Sequence, residues 1–381
     1  MNNFAPLISL IMSFRSKMIL ICSFLISILS TLSLNAQLLR DTTTLKLVKQ
    51  DIDYIYNLQF EKAQEVYTKI VNTYPQHPIG YLLKGMMNYW ENYPLLHTSQ
   101  SHVSFEEDMR ECIKLSELNE KPEDRAEYLL ADLCSRGFLL LFYDDNDLIM
   151  EVTPLTISTY KYIRRSFDFT SGCTDLYYFT GLYNYYREEY PKMYPVYKSL
   201  VFLFPPGDLD AGIKQLQTAA LSAVVLRAES AIVLVGTFLG FENNLQQSTY
   251  YCKTLHDNYP ANGIYLEMYI RNLLLMKKYD EAEKLISESS VTEGSNFVRA
   301  QLTILNGLLR EKKYNDYKLA RQYYNKGINE LSLFGKYGNE YTAYAYFGLS
   351  RITTYDDEKH TRKIYRKEAM KLAEFKKIDF D

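Results

Sequence analysis

The chain is poor in the residues that most chemistry needs. Its 381 residues hold five cysteines, five histidines and one tryptophan. No two cysteines stand at CxxC spacing, which removes the redox and zinc motifs built on it. The histidines are His77, His97, His102, His256 and His360; none lies one helical turn from another, and no HExxH occurs. His97 and His102 share a loop, but loop histidines are usually solvated, so no metal site is expected. Asp144, Asp145 and Asp147 open like a calcium loop, without the Gly at the sixth place or the Glu at the twelfth. Walker, GxSxG and GxGxxG patterns are missing too, so no bound cofactor is expected and the chain does not read as an enzyme. Glycine and proline are sparse, at 16 and 11, and no low-complexity tract occurs. Basic runs are absent as well. With 43 Lys and Arg against 46 Asp and Glu the net charge is −3, which argues against a nucleic-acid partner.

Aromatic residues are what the chain has in quantity: 14%, with 35 tyrosines. That supplies a large core and argues against disorder. One stretch organises the rest, FEKAQEVYTKIVNTYPQHPIGYLLKG, from Phe60 to Gly85. Phe60, Ala63, Tyr67 and Ile70 fall three and four apart and share a helical face. Pro75 and Pro78 then stop that helix. Partial copies follow at Tyr279/Ala282/Ile286, Ala320/Tyr324 and Leu209/Gly212/Leu216/Ala219. An aromatic or apolar residue four before a Gly recurs at Tyr81/Gly85, Tyr177/Gly181, Ile232/Gly236 and Tyr344/Gly348.

This pattern resembles the tetratricopeptide repeat, a 34-residue helix–turn–helix unit. The resemblance runs over most of Leu45 to Ala373. It implies an all-α, right-handed superhelical solenoid of about six or seven degenerate helix pairs, each touching its neighbours. One repeat length before Gly85 the family would want another small residue, and the sequence has Asp51.

Residues 45–375 are read as this solenoid, with insertions near 91–104 and 190–208 and a tail at 376–381. Expected helices include Phe105–Leu118, Leu155–Phe169, Asp175–Tyr186 and a near-continuous pair, Ala211–Leu226 and Ala228–Phe241. That pair is the least polar part of the mature chain, interrupted by Arg227 and Glu229. Tyr190–Asp208 carries four prolines, and such excursions from a repeat array often serve packing or binding. Cys112 and Cys134 lie on sequential helices and are the pair best placed to bridge; the plainer reading is small buried apolar residues.

Met18–Leu34 is an uncharged, mostly apolar run of 17 residues after Arg15 and Lys17. With Ala36 behind it, this reads as a signal peptide over 1–36, with Met12 an alternative start and 37–44 a short linker. An uncleaved anchor is the rival reading, the one way in which the chain would meet a membrane. The expected location is the periplasm or cell envelope.

The resemblance also places the first helix of each pair along a concave groove. Its positions here are Leu82, Met86, Tyr89 and Trp90, then Tyr178, Leu182, Tyr185 and Tyr186, then Val233 and Phe241, then Glu267 and Arg271. Tyr89, Trp90, Tyr178, Tyr185 and Tyr186 are therefore the candidate partner-binding residues, with core filler as the competing role for the aromatic pairs. The expected function is an exported, non-catalytic scaffold that binds a peptide segment or partner protein in its groove. The alternative is a glycan-binding helical protein of an outer-membrane uptake system.

The export reading predicts a mature protein beginning at Gln37. N-terminal sequencing of the envelope-fraction product checks it, and a product that keeps Met18–Leu34 in the membrane favours the anchor.

Overall fold

A computed structural model describes residues 41–118, 125–195, 198, 204–289, 295–353 and 359–381. The apolar N-terminal run, the expected cleavage site after Ala36 and part of the Tyr190–Asp208 insertion lie outside them. The described residues are all-helical, with no strand among them. The helices are α1 (Thr42–Tyr56), α2 (Phe60–Thr73), α3 (Ile79–Glu91), α4 (Ser101–Leu118), α5 (Arg125–Asp145), α6 (Ile149–Ser166), α7 (Leu176–Met193) and α8 (Leu209–Ser222). They continue as α9 (Arg227–Gly236, with a π turn Thr237–Phe241), α10 (Leu245–Asn258), α11 (Gly263–Leu275), α12 (Tyr279–Glu288), α13 (Asn296–Lys312), α14 (Tyr317–Leu331), α15 (Asn339–Ile352) and α16 (Lys359–Leu372). No described helix is long and apolar enough to cross a membrane.

Short polar side chains start many of these helices. Asp208, Asn244, Asn262, Ser295 and Asp316 each accept a backbone N–H from the first turn that follows. A second device repeats. Leu58, Asp147, Asn243, Lys277 and Asn315 all adopt a left-handed φ of 50–59°. Each stands two residues before the next helix begins, at α2, α6, α10, α12 and α14. Glycine normally takes that conformation; here side-chain-bearing residues carry it, and one turn geometry serves five junctions.

From α2 onward every described helix packs against the next, and α3 against α5, α11 against α13 and α13 against α15 make next-but-one contacts. Close approach at α7 and α8 depends on glycine. A Cβ on Gly212 would lie 2.8 Å from the Tyr185 nitrogen, and one on Gly181 2.8 Å from Leu216 Cγ. Ala63 and Ala282, at the small-residue place of the repeat phrase, are fully buried.

Four boundaries differ from expectation. Helix α4 starts at Ser101 rather than Phe105, because Asn92 accepts from the Ser101 hydroxyl at 2.8 Å and Asn88 donates to its carbonyl. Helix α6 starts at Ile149 and contains Pro154 as its sixth residue, where the ring removes the bond that an N–H would make to the Met150 carbonyl. Helix α7 runs on to Met193, past the expected end at Tyr186 and into the 190–208 insertion, because Arg187, Glu188 and Glu189 favour helix. Helix α8 ends at Ser222, because the buried Asp175 carboxylate accepts the N–H groups of Val224, Val225 and Leu226 at 2.7–3.0 Å. Those bonds hold Ala223 extended and reset the chain into α9.

Contacts are not confined to neighbours, as a simple stack would have them. Tyr56 packs its ring on Tyr259, and its carbonyl accepts from Asn262. Tyr93 packs on Phe297 and Tyr337, and the Tyr337 hydroxyl donates to the Leu95 carbonyl at 3.1 Å. Arg227 pairs with Asp53, and Lys336 with Asp144. Long aromatic side chains on inward faces are what span the gap. Among the described residues the four cysteines Cys112, Cys134, Cys173 and Cys252 are free, and only Cys173 is not fully buried.

Asp51 is completely buried, and neither of its carboxylate oxygens has a hydrogen-bond partner among the described residues. Burial raises its pKa from an ordinary 3.8 to about 8. The unfolded chain ionises near pH 4 and the folded chain does not, so folding is penalised increasingly between pH 4 and 8, by about 1.4 kcal/mol per pH unit. Asp51→Asn should therefore be more stable than the wild type at pH 8, with the advantage shrinking towards pH 4. Urea midpoints across that range check it; an advantage independent of pH would show that the carboxyl does not titrate this way.

Candidate functional site

The five sequence-predicted residues separate into three places. Tyr89 and Trp90, at the end of α3, are 4% and 7% exposed. Trp90 stacks on Tyr93 and meets Tyr56 and Tyr265 edge-on, at centroid distances of 5.3–6.1 Å. Tyr89 packs on Phe105 and Phe138. Tyr185, fully buried, gives its hydroxyl to Glu242, while the half-buried Tyr186 contacts Thr237 and Phe241. The two aromatic pairs thus belong to different clusters rather than to one pocket. For Tyr89, Trp90 and Tyr185, burial supports the core role. The two histidines expected to share a loop go separate ways: His97 contacts Asn146, and His102 lies in α4 and contacts the Ser99 carbonyl.

Tyr178 is different. It lines a cavity of about 390 Å³ between α5, α6 and α7. Helix α5 contributes Leu133, Phe138 and Leu141, α6 contributes Val152 and Ile163, and α7 contributes Tyr178, Phe179 and Leu182. The sequence makes this space at Gly137, on the cavity side of α5. A Cβ built there meets nothing within 4 Å. Leu141 and Thr156 are exposed and form the mouth. Leu226 and Glu229 are buried and form the inner end.

Glu229 is the one acid at that inner end. Its Oε1 accepts from the Tyr56 hydroxyl at 3.0 Å. Its Oε2 has no hydrogen-bond partner among the described residues. Burial raises its pKa to about 7, against a small opposing effect of the Tyr56 hydrogen bond. Asp144, the other acid of the cavity, sits at the mouth and is paired with Lys336 at 2.8 Å. No Lys, Arg or His lines the space.

No family model and no curated protein matches this chain.

The contrast with other buried acids locates what is unusual here. Glu311 is held by Arg351 through two bonds of 2.6 and 2.9 Å, and Asp132 is held by Arg136. Glu267, a groove position in the sequence reading, has Arg271 one turn on; even so, desolvation prevails and its pKa rises to about 8. Glu229 has no cation acting on it at all. The site reading from sequence did not include Glu229. Its signal was a charge breaking the least polar stretch of the chain.

If the enclosed aromatics are core, truncating them costs folding energy. Trp90→Ala and Tyr185→Ala should each lose roughly 3–5 kcal/mol of stability. Denaturant titration checks this, and variants with unchanged midpoints would return these residues to a surface role.

Proposed function

We propose that this chain is a non-catalytic binding protein whose partner inserts an apolar group between α5, α6 and α7. The observation that carries this reading is the cavity itself: about 390 Å³, walled by aliphatic and aromatic side chains, with one interior carboxyl. Ligand sites are typically apolar clefts of this size with few polar groups. Helix α6 adds Ile149, Met150 and Ile157, all strongly exposed, which suits a surface that meets a partner.

The architecture is read as a tetratricopeptide-type solenoid. The turn repeated before α2, α6, α10, α12 and α14 supports it, as do the next-but-one helix contacts. The apolar run Met18–Leu34, read as an export signal, makes this scaffold one of the periplasm or cell envelope, with a peptide segment or protein as partner. The glycan alternative needs aromatic faces open to a sugar. Enclosure of Tyr89, Trp90 and Tyr185 favours the apolar reading instead.

Gly137→Leu tests it, because the new side chain points into free space and leucine is the better helix former. Nile red, a neutral apolar dye, should bind the wild type and lose at least tenfold in affinity in the variant, while the helical circular dichroism and melting temperature hold or rise. Equal dye binding by both proteins would overturn the cavity as the site.

A further inference from the structure

We infer that the group entering the cavity between α5, α6 and α7 is an apolar amine, a hydrocarbon body ending in an ammonium whose counter-ion is Glu229. This rests on the cavity reading above and adds the chemistry of the ligand.

Geometry carries the argument. Glu229 is more than nine-tenths buried, lines the cavity and leaves Oε2 without a partner. An isolated buried carboxylate is costly, and this protein elsewhere supplies an arginine to buried acids such as Glu311. At Glu229 the protein offers only the Tyr56 hydroxyl. Asp51 is also unpaired, but it does not line this cavity. Glu229 is the case in which the missing cation has a route in. Aromatic walls suit the same guest. Phe138, Tyr178 and Phe179 present ring surface to the cavity, and a desolvated ammonium beside such rings gains cation–π attraction. The apolar remainder of the cavity takes the hydrocarbon. An anionic ligand would meet two acids and no base.

The surrounding charges do not compete. Groups acting electrostatically with Glu229 are Tyr56 of α1, Tyr89 of α3, Tyr93 beyond it, Cys134 of α5, Tyr178 of α7 and Tyr265 of α11. Burial raises every one of these phenols and the thiol, so all stay neutral below pH 8. Arg227, two residues away, is engaged by Asp53 and Tyr259. Asp175 is engaged by the backbone at the start of α9. The one group in that set that ionises near neutrality is Glu229 itself, at about 7. An ammonium that needs the carboxylate should therefore bind more tightly as pH rises, by about tenfold from pH 6 to pH 8.

The experiment is calorimetric titration of the mature protein with n-octylamine, 1-octanol and octanoate, at pH 6 and pH 8. A capped tripeptide, acetyl-Leu-Lys-Leu-amide, is run in parallel. Either the amine or the lysine peptide should bind, and the tighter of the two identifies a free amine or a lysine side chain as the source. Octanol should bind at least tenfold more weakly than the amine, and octanoate not at all. Glu229→Gln should lose tenfold or more for the ammonium, keep Nile red binding and show no pH dependence. Octanol binding as tightly as octylamine, with Glu229→Gln unaffected, would overturn the counter-ion and leave the apolar cavity standing. Failure of all four ligands together with Nile red would overturn both.

Discussion

The structure depends on aromatic side chains that reach across from one part of the chain to another. Tyr56, Trp90, Tyr93 and Tyr265 interlock at centroid distances of 5.3–6.1 Å, and Phe297 and Tyr337 extend the same cluster. Each ring buries a large area, and paired rings add roughly 0.5–1.5 kcal/mol beyond that area. Residues some two hundred positions apart are held together in this way. Without that cluster, helices contacting only their neighbours would leave their inward faces wet. The cluster also fixes Tyr56, and Tyr56 is what holds Glu229 in place.

Buried acids give the protein its second character. Three solutions coexist. Glu311 is neutralised by Arg351 in a two-pronged ion pair, and Asp175 is satisfied by three backbone N–H groups. Asp51 and Glu229 have no cation, and desolvation holds both well above the ordinary carboxylate range. The first two solutions serve the fold. For Asp51 the described residues offer no compensating partner. Glu229 differs from it by lining a cavity, with Oε2 as a free acceptor among the described residues.

Much of the fold was legible from spacing. The helical face of Phe60, Ala63, Tyr67 and Ile70, the proline stop after it and the small residues at Ala63 and Ala282 all follow from periodicity and size. One boundary was missed because a side chain far away in sequence intervened. Asp175 ends α8 early from about fifty residues away, and no local pattern around Ser222 announces it. At the site, Tyr178 was found because its groove position coincides with a cavity wall. Tyr89, Trp90 and Tyr185 shared the same phase, yet helices and loops from distant parts of the chain cover them.

The sequence by itself determined the all-helical class, the poverty in catalytic motifs and the helical phase of its aromatic residues, because these are set by local periodicity and composition. Only the tertiary structure decided which aromatics are enclosed, that Gly137 opens a space, and that Glu229 ends it without a counter-ion. Those outcomes depend on which surfaces meet, and a surface is enclosed or open according to partners that local spacing does not name.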